Sequence, residues 1–405
     1  MRFSAKRILA LLLAIAAAGG FFIYNVFAGS VLAAAPRGVS SSIMLNGVQV
    51  LVFEGKSRPE IALEIERLAS TGVNTIIMRV FHNEGDRPHY FAATEAVSGV
   101  YFKTSHAPVV ADALSVVLDE AHKRGVKVFA WMTTRYADYG IEGRDDITCK
   151  SFDTRLNVFA RCKGLDLFNE EAVEHLENLY TDLASYPIDG VLFQDDLVLK
   201  YNEGYGRSSE SSFKTEFGRP LTPWSMYVTD INGGNVEYTG EFWSWASWKN
   251  RRLLSVASRL KAAVREKNPG AKFAINLMYE AVTNPRGALA WFSQDLDAAI
   301  REGFDYYSIM AYHVQMATEL EKDKREISRM IEDMVRVASA KVKDSRSVLI
   351  KFQTVDWDTG KPVPEKELKA LIKAARRQAS VSIALVPYRS GLPFGELAGN
   401  AALGK

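Results

Sequence analysis

The chain has 405 residues, of which 47% are hydrophobic and 24% are charged. These values are typical of a globular protein with a large core, and the length suits one large domain rather than a disordered or fibrous chain. The net charge is +2 and no long basic run lies outside the N-terminus, so we expect no nucleic acid partner.

The first 35 residues have the pattern of an export signal. Arg2, Lys6 and Arg7 precede an apolar, alanine-rich run that extends from Ile8 to about Ala35, so we predict that residues 1–35 are a signal peptide or a membrane anchor. Cleavage before Pro36 would release the protein into the periplasm. The run is also long enough to span a bilayer, and residues 8–28, if kept, would hold the protein at the inner membrane, facing the periplasm.

After this segment, strand-like and helix-like stretches alternate along residues 44–395, which is the pattern of a parallel sheet wrapped by helices. The eight predicted strands are Val48 to Phe53, Thr75 to Phe81, Val126 to Met132, Gly190 to Phe193, Lys272 to Leu277, Tyr306 to Ala311, Ser347 to Gln353 and Val381 to Pro387. The sequence therefore predicts an α/β fold, a (β/α)8 TIM-like barrel.

The cysteines and histidines give little indication of metal chemistry. Cys149 and Cys162 are the only cysteines, and in an exported protein they predict a disulfide, with two free thiols as the alternative. The six histidines form no tight ligand pattern, so we predict no metal and no cofactor.

The segment Asp189-Gly-Val-Leu-Phe-Gln-Asp-Asp is the strongest functional signal. A buried strand precedes Asp195 and Asp196, and barrel enzymes gather their chemistry at the C-terminal ends of strands. Glycoside cleavage needs one carboxyl to protonate the leaving oxygen and a second group to stabilise the cationic centre or activate water. We predict Asp195 and Asp196 as the catalytic pair, with Asp196 as the general acid or the reverse, and Asp189 as a structural residue.

Other polar and aromatic residues lie at the predicted strand ends. Such a mixture suits a carbohydrate cleft, because aromatic rings stack on sugar rings while carboxylates and amides bind hydroxyls and amines. The alternative is that Trp131 and Tyr312 cap the core and that Arg79 only neutralises acids. The predicted substrate-binding residues are Arg79, Trp131, Asn276, Tyr279, Glu280, Tyr312, Gln353, Asp356, Trp357 and Tyr388.

Six stretches of the chain match a known family and occur in the same order as in that family: residues 128–132, 179–183, 189–196, 290–294, 308–311 and 353–357. In these the chain resembles the C-terminal hydrolase domain of bacterial poly-β-1,6-N-acetylglucosamine N-deacetylases, glycoside hydrolase family 153. The resemblance implies an eight-stranded barrel that cleaves partly deacetylated poly-β-1,6-N-acetylglucosamine, a biofilm exopolysaccharide, with Asp195 and Asp196 at the active centre.

Two departures from that family qualify the resemblance. Those proteins carry a deacetylase module ahead of the hydrolase, whereas here only the export segment precedes the barrel; we therefore expect no deacetylase activity, and a separate deacetylase or export machinery as candidate partners. Gln194 stands where the family motif usually has His. Two other functions stay open: a non-catalytic barrel that binds polysaccharide during export, and a hydrolase of another envelope glycan.

Overall fold

The computed structural model describes residues 42–92, 95–229, 236–390, 392, 394 and 395. The strands in this part of the chain are β1 (Asn46–Val50), β2 (Thr75–Arg79), β3 (Phe81–His82), β4 (Gly99–Val100), β5 (Lys127–Met132), β6 (Thr148–Asp153), β7 (Val158–Leu165), β8 (Gly190–Phe193), β9 (Tyr227–Thr229), β10 (Val236–Tyr238), β11 (Lys272–Met278), β12 (Tyr306–Met310), β13 (Val348–Gln353) and β14 (Ser382–Val386).

The helices of the same residues are α1 (Arg58–Ser70), α2 (Ala113–His122), α3 (Glu170–Leu183), α4 (Arg207–Phe217), α5 (Pro223–Met226), α6 (Gly240–Lys267), α7 (Glu280–Thr283), α8 (Pro285–Phe292), α9 (Leu296–Glu302), α10 (His313–Leu320), α11 (Lys324–Lys341) and α12 (Glu365–Gln378). Short 3-10 turns lie at Tyr90–Ala92 and Ser345–Ser347.

Eight of the strands form a closed parallel barrel in the order β1, β2, β5, β8, β11, β12, β13, β14 and back to β1. The predicted (β/α)8 barrel is therefore confirmed. One apolar layer fills the barrel interior, and a larger one lies between the strands and the helices. The buried residues of the interior are Leu45, Ile77, Phe129, Leu192, Ala274, Tyr306, Leu349 and Ala384.

Residues 289–302, whose sequence is helix-like throughout, contain the end of α8 and the whole of α9. Ser293 ends α8 in a left-handed conformation (φ 53°), and its hydroxyl donates to the Leu199 carbonyl at 2.8 Å. Asp295 then caps α9 by accepting from the Ala298 amide. These side-chain bonds stop a helix that hydrophobic periodicity alone would continue.

The long connections after β2, β5 and β8 each contain a small antiparallel hairpin, formed by β3 with β4, β6 with β7, and β9 with β10. Cys149 on β6 and Cys162 on β7 form a disulfide, which confirms that prediction. All three connections leave the C-terminal ends of barrel strands, so the added structure lies on the face where barrel enzymes build their sites.

The predicted export segment at residues 1–35 lies outside the described residues, and its role stays a prediction. Among the helices that the structure describes, none combines the length and the apolar character needed to cross a membrane.

Candidate active site

The first half of the 189–196 segment fixes β8 in the barrel. The Asp189 carboxylate accepts from the Val128 amide at 2.8 Å and pairs with His122 Nε2 at 2.9 Å. Gly190 has no room for a side chain, because a Cβ there would lie 2.6 Å from the Lys272 carbonyl and 2.7 Å from the Phe129 ring. Both residues therefore hold the start of the strand, as expected for Asp189.

Asp196 is buried and its carboxylate is fully used by the connection after β5. The carboxylate accepts from the Thr133 hydroxyl at 2.6 Å, from the Thr134 hydroxyl at 2.6 Å and from the Tyr136 amide at 2.8 Å. The Thr134 amide adds a further bond at 2.9 Å. Burial raises the pKa of Asp196, and these donors oppose that shift. Asp196 therefore links the connection after β8 to the connection after β5, and its buried carboxylate is not open to substrate.

Asp195 is half-buried and faces a different set of neighbours, which lie at the mouth of the barrel. Burial lowers the pKa of Lys351 to about 8, against the opposing effect of the charge of Asp195. The charge of Asp195 also acts on the buried phenol of Tyr312, whose pKa is raised mainly by burial. Of the two aspartates, the geometry favours Asp195 as the group that meets a substrate.

A buried polar cluster holds Lys351 below the site. Lys351 Nζ donates to Asn276 Oδ1 at 3.1 Å, and the Ser308 hydroxyl donates to the same oxygen at 3.0 Å. The three side chains come from the neighbouring strands β13, β11 and β12. Because each is almost fully buried, the cluster fixes a positive charge beside Asp195 with little freedom to move.

Trp131, near the end of β5, and Gln194, just after β8, contact each other at the same end of the barrel. Trp131 Nε1 donates to Gln194 Oε1 at 2.5 Å, and the indole packs edge-on against Phe81 with the ring centres 5.2 Å apart. Trp131 is half-buried and also contacts the interior core. It therefore caps the core and contributes to the site surface at the same time.

An acidic groove of about 350 Å³ lies next to the mouth, and we call it the acidic groove throughout. Three carboxylates and one indole contribute to its lining: Glu319, Asp356, Asp358 and Trp357. Trp357 packs edge-on against Tyr312 at 5.6 Å, which connects the groove to the surroundings of Asp195. Among the described residues that line it there is no lysine or arginine, so its potential is negative.

Tyr279 and Glu280 follow β11 and interact with Glu319, which lines the groove. The Tyr279 hydroxyl donates to Glu319 Oε2 at 2.9 Å, and burial together with the charge of Glu319 raises the pKa of Glu280. β8 and β11 are neighbours in the barrel, and Asp195 and Glu280 each follow their strand by two residues. A second carboxyl, whose pKa is raised, thus follows the adjacent strand.

Several predicted residues are occupied by other contacts. Arg79 pairs with Asp86 at 3.1 Å and holds the connection after β2. Gln353 lines the acidic groove, but its oxygen accepts from the Val314 and Gln315 amides and positions α10. Tyr388 interacts with Glu64 on α1. The Asp356 carboxylate accepts from the amides of Asp358 and Thr359 and shapes its own turn.

Lys351, Ser308 and Glu319 are residues of this region that the sequence did not single out. Lys351 lies within the run Val348-Leu-Ile-Lys-Phe-Gln, and a lysine in an otherwise apolar central strand is a usable signal, because burying an ammonium is costly. Glu319 lies on an ordinary polar helix face, and nothing in the pattern distinguishes it from a solvated residue.

Comparison with known proteins agrees with this architecture. The sequence profile of hypothetical glycosyl hydrolase family 13 matches residues 56–385. The glycoside hydrolase domain of PgaB (BpsB) from Bordetella bronchiseptica is similar in structure, with a TM-score of 0.68, 20% identity, and coverage of 85% of this chain and 94% of that domain. No curated protein matches the chain.

Two more distant barrels share the fold. The catalytic domain of a β-amylase from Paenibacillus polymyxa matches with a TM-score of 0.52 and 12% identity, covering 84% of this chain and 91% of that one. A β-galactosidase from Rahnella sp. R3 matches with a TM-score of 0.55 and 14% identity, covering 86% of this chain and 50% of that one. Identities this low support a common fold, while the family match bears out the resemblance seen in the sequence.

Proposed function

Because the chain belongs to hypothetical glycosyl hydrolase family 13, we propose that it is an exported, endo-acting glycosidase that cleaves partly deacetylated poly-β-1,6-N-acetylglucosamine. The observation that carries the proposal is the placement of Asp195. It follows β8 at the barrel mouth, where its charge acts on the buried Lys351, and it lies near an acidic groove that is lined in part by an exposed tryptophan.

The two carboxyl groups of the reaction are Asp195 and Glu280 in this proposal. Asp195 is the group that would stabilise an oxocarbenium-like centre, attack it, or activate water. Burial raises the pKa of Glu280, which is the direction of shift that suits a general acid protonating the leaving oxygen. Asp196 then holds the connection after β5 in place.

The acidic groove supports an amino-sugar polymer as the substrate. Free amines of a deacetylated glucosamine unit are largely cationic near neutral pH, and Glu319 and Asp358 are exposed carboxylates that would attract them. Trp357, with 40% of its surface exposed, offers an indole face on which a sugar ring can stack.

The test compares cleavage by wild-type protein, Asp195→Asn and the control Asp333→Asn. Asp333 is an exposed aspartate of α11 that pairs with Arg336 on the helix surface. We expect product release from partly deacetylated polymer by the wild type and the control, and a loss of about 10²–10⁴-fold for Asp195→Asn. Circular dichroism and thermal melting check that all three proteins fold alike.

The outcomes separate the alternatives. Polymer binding by the wild type without any cleavage would replace the proposal with a non-catalytic barrel that assists export. Cleavage of a different glycan in a panel would keep the hydrolase and change its substrate. Equal rates for the wild type and Asp195→Asn would remove Asp195 from the chemistry.

Export rests on the pattern of residues 1–35. The mature protein is isolated from a bacterial host that has an inner membrane and a periplasm, and its N-terminus is determined by mass spectrometry. We expect either a start near Pro36 or an intact segment 8–28 in the inner-membrane fraction. A full-length chain recovered from the cytoplasm would contradict export.

A further inference from the structure

A second cavity, of about 340 Å³, lies outside the barrel where α10, α11 and α12 meet the connection after β13. Its walls are largely aliphatic, with Ala317, Ile327, Val363 and Leu371 among them. We call it the His313 cavity. Val314 and Asp356 line both this cavity and the acidic groove, so the two spaces are separated by only a thin wall.

His313 is the unusual residue of this cavity. Its side chain is only 3% exposed, and neither ring nitrogen has a hydrogen-bond partner in the described part of the chain. Glu367 Oε1 lies 3.6 Å from Nε2, which is beyond hydrogen-bond distance. A buried imidazole without partners is costly, so the site is incomplete as it stands.

Burial keeps the ring of His313 neutral. Burial lowers the pKa of His313 to about 4, against the opposing effect of Glu367. Lys324 Nζ donates to Glu367 Oε2 at 2.7 Å, and Lys361 and Asp356 complete the charged groups that face the cavity. At pH 7 the imidazole therefore offers one N–H donor and one nitrogen acceptor rather than a charge.

We propose that the His313 cavity binds the acetamido group of an N-acetylated sugar, which adds a second recognition element to the glycan-binding function proposed above and rests on it. A neutral amide has the complementary set of groups. Its carbonyl accepts from the imidazole N–H, its N–H donates to the free ring nitrogen or to Glu367, and its methyl group covers the aliphatic walls.

The neighbouring acidic groove has the opposite chemistry, and the contrast gives the cavity its selectivity. A protonated amine entering the His313 cavity would lose its hydration against aliphatic side chains, and the cavity's two carboxylates, Asp356 and Glu367, are balanced there by Lys324 and Lys361. The acidic groove has carboxylates and no lysine or arginine among its described lining residues. Adjacent spaces would thus distinguish acetylated from deacetylated units of one polymer.

The test is a binding experiment that needs no cleavage. The full protein, labelled with ¹⁵N-histidine, is titrated with N-acetylglucosamine and separately with glucosamine, and the ring nitrogens of His313 are followed by NMR after assignment with His313→Phe. We expect N-acetylglucosamine to shift these signals in a saturable way and glucosamine to leave them unchanged. Calorimetry on the wild type and His313→Phe measures the same binding independently.

A matched pair of variants locates the binding. Ala317→Phe places a ring in the cavity and should abolish the shift, whereas Ala340→Phe makes the same change at an exposed position of α11 and should preserve it. Equal shifts with both sugars would overturn the acetamido assignment, as would no shift with either or an unchanged titration in Ala317→Phe. A protein that binds N-acetylglucosamine here but cleaves no glycan would refute the hydrolase proposal alone.

Discussion

Two adjacent aspartates have different surroundings at the end of β8, and the difference decides what each can do. The carboxylate of Asp196 accepts bonds from Thr133, Thr134 and Tyr136. An amide at this position would turn an NH2 group toward donors, so we expect Asp196→Asn to lower the free energy of unfolding by about 2 kcal/mol, measured by urea denaturation. Asp195→Asn, at a half-buried position, should change it little. Equal losses in the two variants would contradict this division.

Lys351 gives a second prediction, in the pH dependence of stability. Its folded pKa of about 8 lies below the unfolded value of about 10.4. Between these values the unfolded chain binds more protons, so this group makes stability rise with pH. Relative to Lys351→Met, the free energy of unfolding of the wild type should rise by on the order of 3 kcal/mol across this window. Urea denaturation at pH 7 and pH 10 measures this difference. A difference between the two proteins that is constant with pH would contradict a buried ammonium.

At the scale of elements, the alternation of apolar strand-like runs with helix-like stretches was sufficient to predict the barrel. Each of the eight predicted strands overlaps an observed barrel strand, because a strand buried on both faces reads as a continuous apolar run. The hairpins in the long connections are missed, since β3, β4, β9 and β10 are only two or three residues long. The hydrogen bonds that hold Asp196 could not be predicted for another reason: its partners come from a connection more than 60 residues earlier in the chain.

The β6–β7 hairpin supports a prediction at the same scale. Its disulfide joins residues separated by 13 positions, and Arg135 beneath it donates to the Lys163 carbonyl at 2.9 Å and pairs with Glu203 at 2.8 Å. We expect the Cys149→Ser, Cys162→Ser variant to lose about 3 kcal/mol of unfolding free energy, as expected for a loop of this length. A reductant should lower wild-type stability in urea and leave the variant unaffected, and insensitivity of both would contradict the role of the bridge.

At the scale of the whole molecule, a net charge of +2 conceals a local excess of negative charge in the acidic groove. A cationic polymer should respond to that local field, which acts over about 30 Å at 0.01 M salt and about 3 Å at 1 M. We therefore expect kcat/KM for partly deacetylated polymer to fall steeply with added salt, since the groove raises the encounter rate.

Two comparisons test this field. Neutralising the groove with Glu319→Gln and Asp358→Asn should lower kcat/KM at low salt. It should also flatten the salt dependence of kcat/KM, because the variant has lost the attraction that added salt screens in the wild type. The fully acetylated polymer, which lacks free amines, should show little salt dependence with either protein. A salt response equally steep in the wild type and the double variant would place the attraction elsewhere on the molecule, and the groove would then have no part in selecting the amine-bearing substrate.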